Sequence, residues 1–406
     1  MFTFGRALEG GTGRTAWSGP AGRSPLWLHD HLPVCIEVFS SFSEVEAKWR
    51  KAQADCACYG FQTFDWLSTC QGTVGIAEGV EPRIVHVAGA NGNTLMLLPL
   101  GIRRRHGLSF LNFLGGDTTD YNAPIVDAEF AAGLDSAASN RLLGCVLEQL
   151  PRVDVIAFER MPSEIDGVPN PLAILPGAKH VSNAYAATLG GTFKDFKKRR
   201  SPKFFSTGER KWRRLCEIAP ARFCVAEGAA EATEVMGALV RQKRRRYQDT
   251  GAVDLLAKPH YLAFYSALAE KHSGTGLIHT SALFAGTAIV AAHCGMVFRN
   301  RFYWLMPSFE GGAWARFSPG RLLMQFLIEW SILRDLKKFD LTIGDDGYKH
   351  LWADHTLRLY DFIGGVTGRG KIYREIHLGS RRVRAWAKRM PWLVSLVRNW
   401  RSRASG

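Results

Sequence analysis

One pattern occurs twice in this chain of 406 residues and limits its fold more than any other feature. Each copy has two strands joined by a basic turn, then an amphipathic helix, then a short strand with Asp at its second position. The copies begin with the apolar runs 94–100 and 288–292. Hairpins that lead into a helical crossover build a mixed sheet. We therefore predict an α/β fold (an α+β mixed sheet) with one domain for each copy.

The two helices share one spacing of apolar residues, at i, i+1, i+4, i+5 and i+8. This spacing turns one face of a helix toward a sheet. The apolar residues are Leu142, Leu143, Val146, Leu147 and Leu150 in the first copy, and Leu322, Leu323, Phe326, Leu327 and Trp330 in the second.

The periodic patterns divide the chain into four segments. Residues 1–33 contain Gly, Ser, Pro and Arg without periodicity, which indicates a flexible leader. The domains are predicted at 34–185 and 186–365, and a basic amphipathic tail follows at 366–406. Two further helices, expected to cap the second sheet, lie around 229–247 and 260–271.

Several classes of protein are excluded by composition and spacing. No apolar run reaches 18 residues, so no transmembrane helix is expected. The Gly-rich leader lacks the apolar core of a secretory signal, which favours a cytoplasmic protein. The eight cysteines include no C-x-x-C pair, so we expect reduced thiols and no metal site.

The positive charge is concentrated in two segments. The whole chain carries +15, whereas 368–406 alone carries +10 and 194–214 carries +8. The remainder is therefore slightly acidic. Two basic segments on a nearly neutral body predict an anionic partner, such as a phosphorylated small molecule, a membrane surface or nucleic acid.

The run Ser318-Pro319-Gly320-Arg321 precedes the second amphipathic helix and is the clearest local motif. Ser is a good N-cap, Pro suits the first turn, and Gly permits close approach to the backbone. Free amides and the helix dipole then favour an anion such as a diphosphate. An ordinary helix start has the same signature.

Two further motifs follow predicted strands, at the edge where α/β sheets place ligands. The run 344–349 supplies Asp345 as a candidate general base, Tyr348 as an acid and Lys349 as a cation for an oxyanion or acceptor. In the first copy, Gly115-Gly116-Asp117 with Asp120 and Tyr121 suits a loop that binds substrate. Polar surface turns remain the alternative for both motifs.

Taken together, these runs resemble the CelD/BcsL-type branch of the GNAT acyltransferases, which is related to the FemAB-type tandem transferases. In the second copy the resemblance lies in 317–323 and 339–349. It extends over about 35–365, and the supporting runs are 61–67, 98–100, 114–116, 120–121, 198–200 and 210–214.

The resemblance implies two tandem GNAT-like acyl-CoA N-acyltransferase domains followed by the basic helical tail, with acetyl-CoA or another acyl-CoA as co-substrate. The donor diphosphate would lie at Ser318, Pro319, Gly320, Arg321 and Leu322. The usual glycine-rich Q/R-x-x-G-x-G/A loop is absent, and Ser-Pro-Gly stands in its place. FemAB-type relatives use aminoacyl-tRNA, which the basic segments would also suit.

The basic segments complete the expected function. Arg199 and Trp212 lie in a segment where arginines alternate with aromatic residues, a pattern that favours a solvated helix with buried aromatic side chains. Both are also candidate contacts to a phosphorylated acceptor. The tail suits either an anionic membrane or docking on the body. We expect a cytoplasmic acyltransferase acting on a cell-envelope or exopolysaccharide precursor, with the inner membrane face as a candidate location. The alternatives are a tRNA-dependent aminoacyl transferase and a non-catalytic adaptor.

Overall fold

The computed structural model describes residues 26–27, 33–200, 202–251, 253–272 and 275–388. The predicted leader lies outside these residues, apart from 26–27 and Pro33. The last part of the predicted tail, 389–406, also lies outside them.

The first half begins with a small edge strand and ends with a long strand at the centre of the sheet. Its strands are β1 Leu26–Trp27, β2 Pro33–Phe39, β3 Val80–Gly89, β4 Thr94–Arg105, β5 Leu108–Phe113, β6 Ile125–Val126, β7 Val155–Pro162, β8 Glu164–Ile165, β9 Val168–Pro169 and β10 Lys179–Thr188. Its helices are α1 Phe42–Asp55, α2 Phe64–Cys70, α3 Ala128–Ala132 and α4 Ser136–Glu148.

The second half repeats this order with longer helices on the sheet. Its helices are α5 Phe193–Lys198, α6 Pro202–Ile218, α7 Ala229–Thr250, α8 Pro259–His272, α9 Pro319–Leu333 and α10 Gly368–Lys388. Its strands are β11 Ala221–Val225, β12 Ile278–Ala285, β13 Ala288–Phe298, β14 Arg301–Phe309, β15 Lys338–Ile343 and β16 His355–Gly365.

All these strands except the β8–β9 hairpin form one mixed sheet across both halves. Its order is β1-β2-β3-β4-β5-β7-β16-β10-β15-β14-β13-β12-β11, and β6 pairs with β4. The last strand of each half lies beside the other half, because β16 pairs with β7 and β10 pairs with β15. The predicted boundary between 185 and 186 thus falls inside β10, in the middle of the sheet.

The halves are related by a repeated arrangement of parallel strands. In the first half, β5 and β7 pair in register at three positions, from Phe110 with Val155 to Asn112 with Ala157. In the second half, β14 and β15 also pair at three positions, Arg301 to Tyr303 with Lys338 to Asp340. Beyond these pairs the strands separate, and each half opens a wedge in the sheet.

The hydrophobic core is continuous between the halves. Phe61, in the turn before α2, packs edge-on against Tyr303 of β14 with ring centroids 5.4 Å apart. On the opposite face of the second half, α9 packs over Phe302 and Phe339, whose rings stack at 4.9 Å. The two halves are therefore joined by core packing as well as by the exchanged strands.

Helix α10 confirms a helical start for the predicted tail and is anchored closely at its N-terminus. The carboxylate of Asp154 accepts hydrogen bonds from Thr367 at 2.6 Å and from Ser109. These bonds lower the pKa of Asp154 to about 2. A Cβ atom at Gly370 would lie 1.8 Å from the carbonyl oxygen of Asp154, so only glycine fits there.

Replacing Gly370 by Ala is expected to displace the first turns of α10 and to cost about 1–3 kcal/mol, as overpacking generally does. Amide hydrogen exchange in α10 and the urea midpoint would measure the effect. Gly379→Ala is the matched control, because a Cβ atom there meets nothing within 4 Å. This control should be neutral or slightly stabilising, since Ala favours a helix more than Gly does. Equal protection of α10 in both variants would contradict the prediction.

Candidate functional site

The wedge between β14 and β15 contains a cavity of about 540 Å³. Asp120 of the first half forms part of its wall, and the rest comes from the second half, including α7. Thr342, just beyond the last paired position, has a φ of 58°, so β15 turns away from β14 at this point. The lining residues include Asp120, Gln242, Lys243, Arg246, Tyr247, Trp304, Leu305, Ser308, Phe309, Thr342, Asp346, Tyr348 and Lys349.

Three of the residues singled out in the sequence meet in this cavity. Asp120 enters from the first half, whereas Tyr348 and Lys349 follow β15 in the second. Lys349 begins a short 3₁₀ turn, and its Nζ donates to the carbonyl of Ile343 at 2.6 Å. This bond ties the ammonium to the end of β15, and burial lowers its pKa.

The surroundings of Asp120 and Tyr348 suit proton transfer. Burial raises the pKa of the Asp120 carboxyl, although a hydrogen bond from Thr342 and the charges of Arg160 and Lys349 oppose the shift. Burial also raises the pKa of the Tyr348 phenol. A carboxylate with a raised pKa accepts a proton more readily near neutral pH, while the phenol remains protonated.

Tyr121 has a structural position beneath the cavity. Its hydroxyl donates to Oδ1 of Asp340 at 2.6 Å, and Arg301 donates to Oδ2 of the same carboxylate at 2.9 Å. The amide of Thr342 also donates to Asp340, at 2.9 Å. We call Tyr121, Asp340 and Arg301 the inter-half latch. The buried Tyr121 is not part of the cavity wall, and its bond to Asp340 ties the loop that carries Asp120 to β15.

The other predicted substrate and base residues lie away from this cavity. Asp345 is exposed and accepts a hydrogen bond from Tyr185 of β10, while the neighbouring Asp346 lines the cavity. Arg199 donates to the carbonyl of Gly190 at 3.2 Å. Trp212 packs against Phe326 of α9, with ring centroids 4.9 Å apart.

A family model described as an acetyltransferase (GNAT) domain matches residues 202–350. This match spans α6 to the turn after β15 and includes most of the cavity. This part of the chain is therefore similar to the acetyltransferases of the GNAT type, and residues 202–350 are called the GNAT domain below.

Solved structures with the same fold cover both halves of the chain. The structure of FemX has a TM-score of 0.58 and 10% identity, covering 81% of this chain and 97% of FemX. A conserved protein of unknown function from Bacteroides thetaiotaomicron VPI-5482 has a TM-score of 0.51 and 11% identity, covering 80% and 99%. No curated protein matches the sequence. The predicted mixed α/β fold with GNAT-like halves is confirmed.

The predicted donor site of this GNAT domain lies at the start of α9, where neighbouring groups of the protein occupy part of the space and of the backbone amides. The amides of Arg321 and Leu322 both donate to the carbonyl of Ser318. The guanidinium of Arg321 stacks on Phe204 at 3.8 Å, and Phe309 packs against Gly320. Lys211 of α6 bonds to the Ser318 hydroxyl and places a cation at the helix start. Two of the amides predicted to be free for a diphosphate are thus already hydrogen-bonded, and Lys211 and Arg321 are cations at this helix start.

The GNAT domain also contains functional candidates that the sequence analysis did not select. Lys243, Arg246 and Tyr247 line the cavity from one side of α7. Burial and the charge of Arg246 lower the pKa of Lys243 to about 8. The basic run 241–246 lies within the helix predicted at 229–247, and the i, i+3, i+4 spacing of these three residues could have indicated them.

The third sequence motif lines the corresponding wedge of the first half. A cavity of about 510 Å³ lies between β5 and β7, and Gly115, Gly116 and Asp117 form part of its wall. Arg160, just beyond the last paired position of β7, has a φ of 55°, much as Thr342 does in β15. The loop 115–122 thus contributes to both cavities, through Asp117 in one and Asp120 in the other.

Among the described residues, no group of three or more His, Cys, Asp or Glu side chains could hold a metal ion. No described helix is long and apolar enough to cross a bilayer.

Proposed function

We propose that the protein transfers an acyl group from acyl-CoA to an amino or hydroxyl group of an anionic cell-envelope or exopolysaccharide precursor. The observation that carries this proposal is the meeting of Asp120, Tyr348 and Lys349 in one cavity at the wedge of a GNAT domain. The reaction would take place in the cytoplasm, at the inner membrane face when the acceptor is carried on a lipid. The finer resemblance to the CelD/BcsL branch agrees with this class of acceptor.

Asp120 is the general base in this proposal, instead of the Asp345 indicated by the sequence. Asp120 lines the cavity, whereas Asp345 is hydrogen-bonded to Tyr185 outside it. Asp120 takes the proton of the acceptor amine or hydroxyl as its nitrogen or oxygen bonds to the thioester carbonyl carbon. The carbon–sulfur bond then breaks, and Tyr348 protonates the leaving thiolate.

Lys349 supplies positive charge near the developing oxyanion. Its ammonium is held by the carbonyl of Ile343 at 2.6 Å and by that of Thr342 at 3.5 Å, and it lies 3.7 Å from Asp346. A cation fixed before the reaction begins stabilises transition-state charge without reorganisation. The separation of β14 from β15 beyond Asp340 leaves the strand edges on which an acyl-CoA chain would lie.

The charges on α7 support an anionic acceptor. Arg245 pairs with Glu310 at 2.5 Å, but the adjacent Arg246 has no carboxylate within ion-pair distance among the described residues. The same holds for Lys243 within that part of the chain. Two cations without a counter-ion beside the candidate base fit a phosphate or carboxylate on the acceptor.

The second candidate function is transfer from aminoacyl-tRNA. It is favoured by the exposed face of α6, where Arg210, Arg213 and Arg214 form no ion pair with any described residue. Such a face can bind the phosphates of RNA.

Thermal stability with different donors separates these functions. Acetyl-CoA at 100 times its Kd should stabilise the protein by about 2.7 kcal/mol. Lys211→Ala should weaken this binding about tenfold, because it removes a charged hydrogen-bonding group at the helix start. Arg210→Ala on the same helix is the matched control and should bind acetyl-CoA normally. Acyl transfer from charged tRNA, together with no change in melting temperature on adding acyl-CoA, would favour the second function. A protein that neither binds a donor nor transfers an acyl group would be an adaptor.

A further inference from the structure

The orientation of α10 is fixed by three contacts on one side of the helix. Gly370 lies against the backbone of Asp154, and Tyr373 packs edge-on against Phe110 with ring centroids 5.1 Å apart. Further along, Arg381 pairs with Asp361 at 2.6 Å. The opposite side of α10 must therefore face away from the sheet.

That outer side exposes a stripe of large apolar residues. Ile372, Ile376 and Val383 are 63%, 66% and 63% exposed. Their spacing of i, i+4 and i+11 places them on one face of a helix. Large apolar residues exposed singly are ordinary, but three on one face of a docked helix indicate an interaction surface.

Positive charge accompanies this stripe. From 368 to 388 the sequence has seven Lys or Arg residues and one acid, Glu375. Arg369, one turn before Ile372, and Lys371, next to it in sequence, are exposed, whereas Arg374 is paired with Glu375 at 3.4 Å. Arg369 keeps 72% of its side chain exposed although it lies 3.4 Å from Asp154, whereas Arg381 turns inward to Asp361.

We propose that the outer face of α10 binds the surface of an anionic lipid bilayer. The stripe of Ile372, Ile376 and Val383 enters the headgroup boundary, while the flanking cations contact lipid phosphates. A helix of 21 residues is about 31 Å long and would lie flat along the surface. A second copy of the chain is a poorer occupant, because two-fold pairing would bring these cations face to face.

The test measures binding of the full-length protein to vesicles. We expect it to bind vesicles of phosphatidylcholine with 30% phosphatidylglycerol, and to bind pure phosphatidylcholine at least tenfold more weakly. The double variant Ile372→Glu/Ile376→Glu should lose about tenfold or more of the binding, because it places charge on the apolar face. Lys371→Gln should lose about fivefold, the equivalent of roughly one cation near the surface.

The matched control is Ile76→Glu/Leu333→Glu. These residues are 70% and 77% exposed and lie in other elements, so the same change of charge should leave vesicle binding intact. Unchanged melting temperatures would show that all the variants fold. The proposal is overturned if the stripe variant binds like the unmodified chain, or if the control loses as much binding. It is also overturned if the stripe variant changes only self-association in sedimentation velocity. Vesicle binding is measured without a donor or acceptor, so its outcome is independent of the proposed transfer activity.

Discussion

Asp120→Asn is expected to lower kcat/KM for acyl transfer by about 10²–10⁴-fold, the usual contribution of a general base. The base acts in its deprotonated form, so kcat/KM of the unmodified enzyme should rise with pH as Asp120 ionises. Because burial raises the pKa of Asp120, this rise should occur above the ordinary range of an aspartate. In the variant that limb of the profile should disappear. Thiol release from acetyl-CoA, with glucosamine 1-phosphate as acceptor probe, would measure both effects.

Asp345→Asn is the matched control for this experiment. It removes the same charge from an exposed residue only a few positions from Lys349, and we expect activity close to that of the unmodified chain. Loss of activity in Asp345→Asn, with activity retained in Asp120→Asn, would return the role of base to Asp345. It would then follow that the cavity between β14 and β15 is not where the proton is removed.

Asp340→Ala is expected to have the largest effect on stability. It removes the carboxylate that Tyr121, Arg301 and the amide of Thr342 share, and leaves the cation of Arg301 partly uncompensated. Breaking a buried ion pair typically costs 3–5 kcal/mol, and we expect about 3 because Arg301 keeps its bond to Asp166. Urea unfolding followed by far-ultraviolet circular dichroism would measure the change in the free energy of unfolding.

Two variants calibrate this result. Tyr121→Phe removes one hydrogen bond of the inter-half latch and should cost about 1–2 kcal/mol. Asp249→Ala, at an exposed position of α7, should stay within about 0.5 kcal/mol of the unmodified chain. If Asp340→Ala were no more destabilised than Asp249→Ala, the latch would contribute nothing to the joining of the halves.

The repeated order of strands and helices could be predicted because each of these elements has its own local pattern of apolar residues. Apolar runs of strand length and helices with one apolar face gave β4, α4, α9 and β15 close to their observed positions. The exchange of β10 and β16 could not be predicted in this way. A strand's own alternation shows that it pairs, but the partner is chosen by contacts that lie far apart in sequence.

The candidate site shows the same limit on a smaller scale. The spacing after β15 predicts a polar corner with Tyr348 and Lys349, and both residues line the cavity. It could not decide between Asp345 and Asp346, because Gly344 has a φ of 119° and ends the alternation of the strand. Asp120 reaches the cavity because the inter-half latch holds its loop against the other half. These contacts join residues far apart in sequence, so local patterns cannot predict them.

The crossed placement of β10 and β16 also affects how the chain acquires its structure during synthesis. When residues 1–188 have left the ribosome, β7 still lacks the neighbour that β16 will provide, and β10 has neither of its partners. Both strands then have unpaired edges, which promote association with other chains. The nascent first half should therefore depend on chaperones until the last strand arrives, and neither half should be recoverable as a soluble fragment.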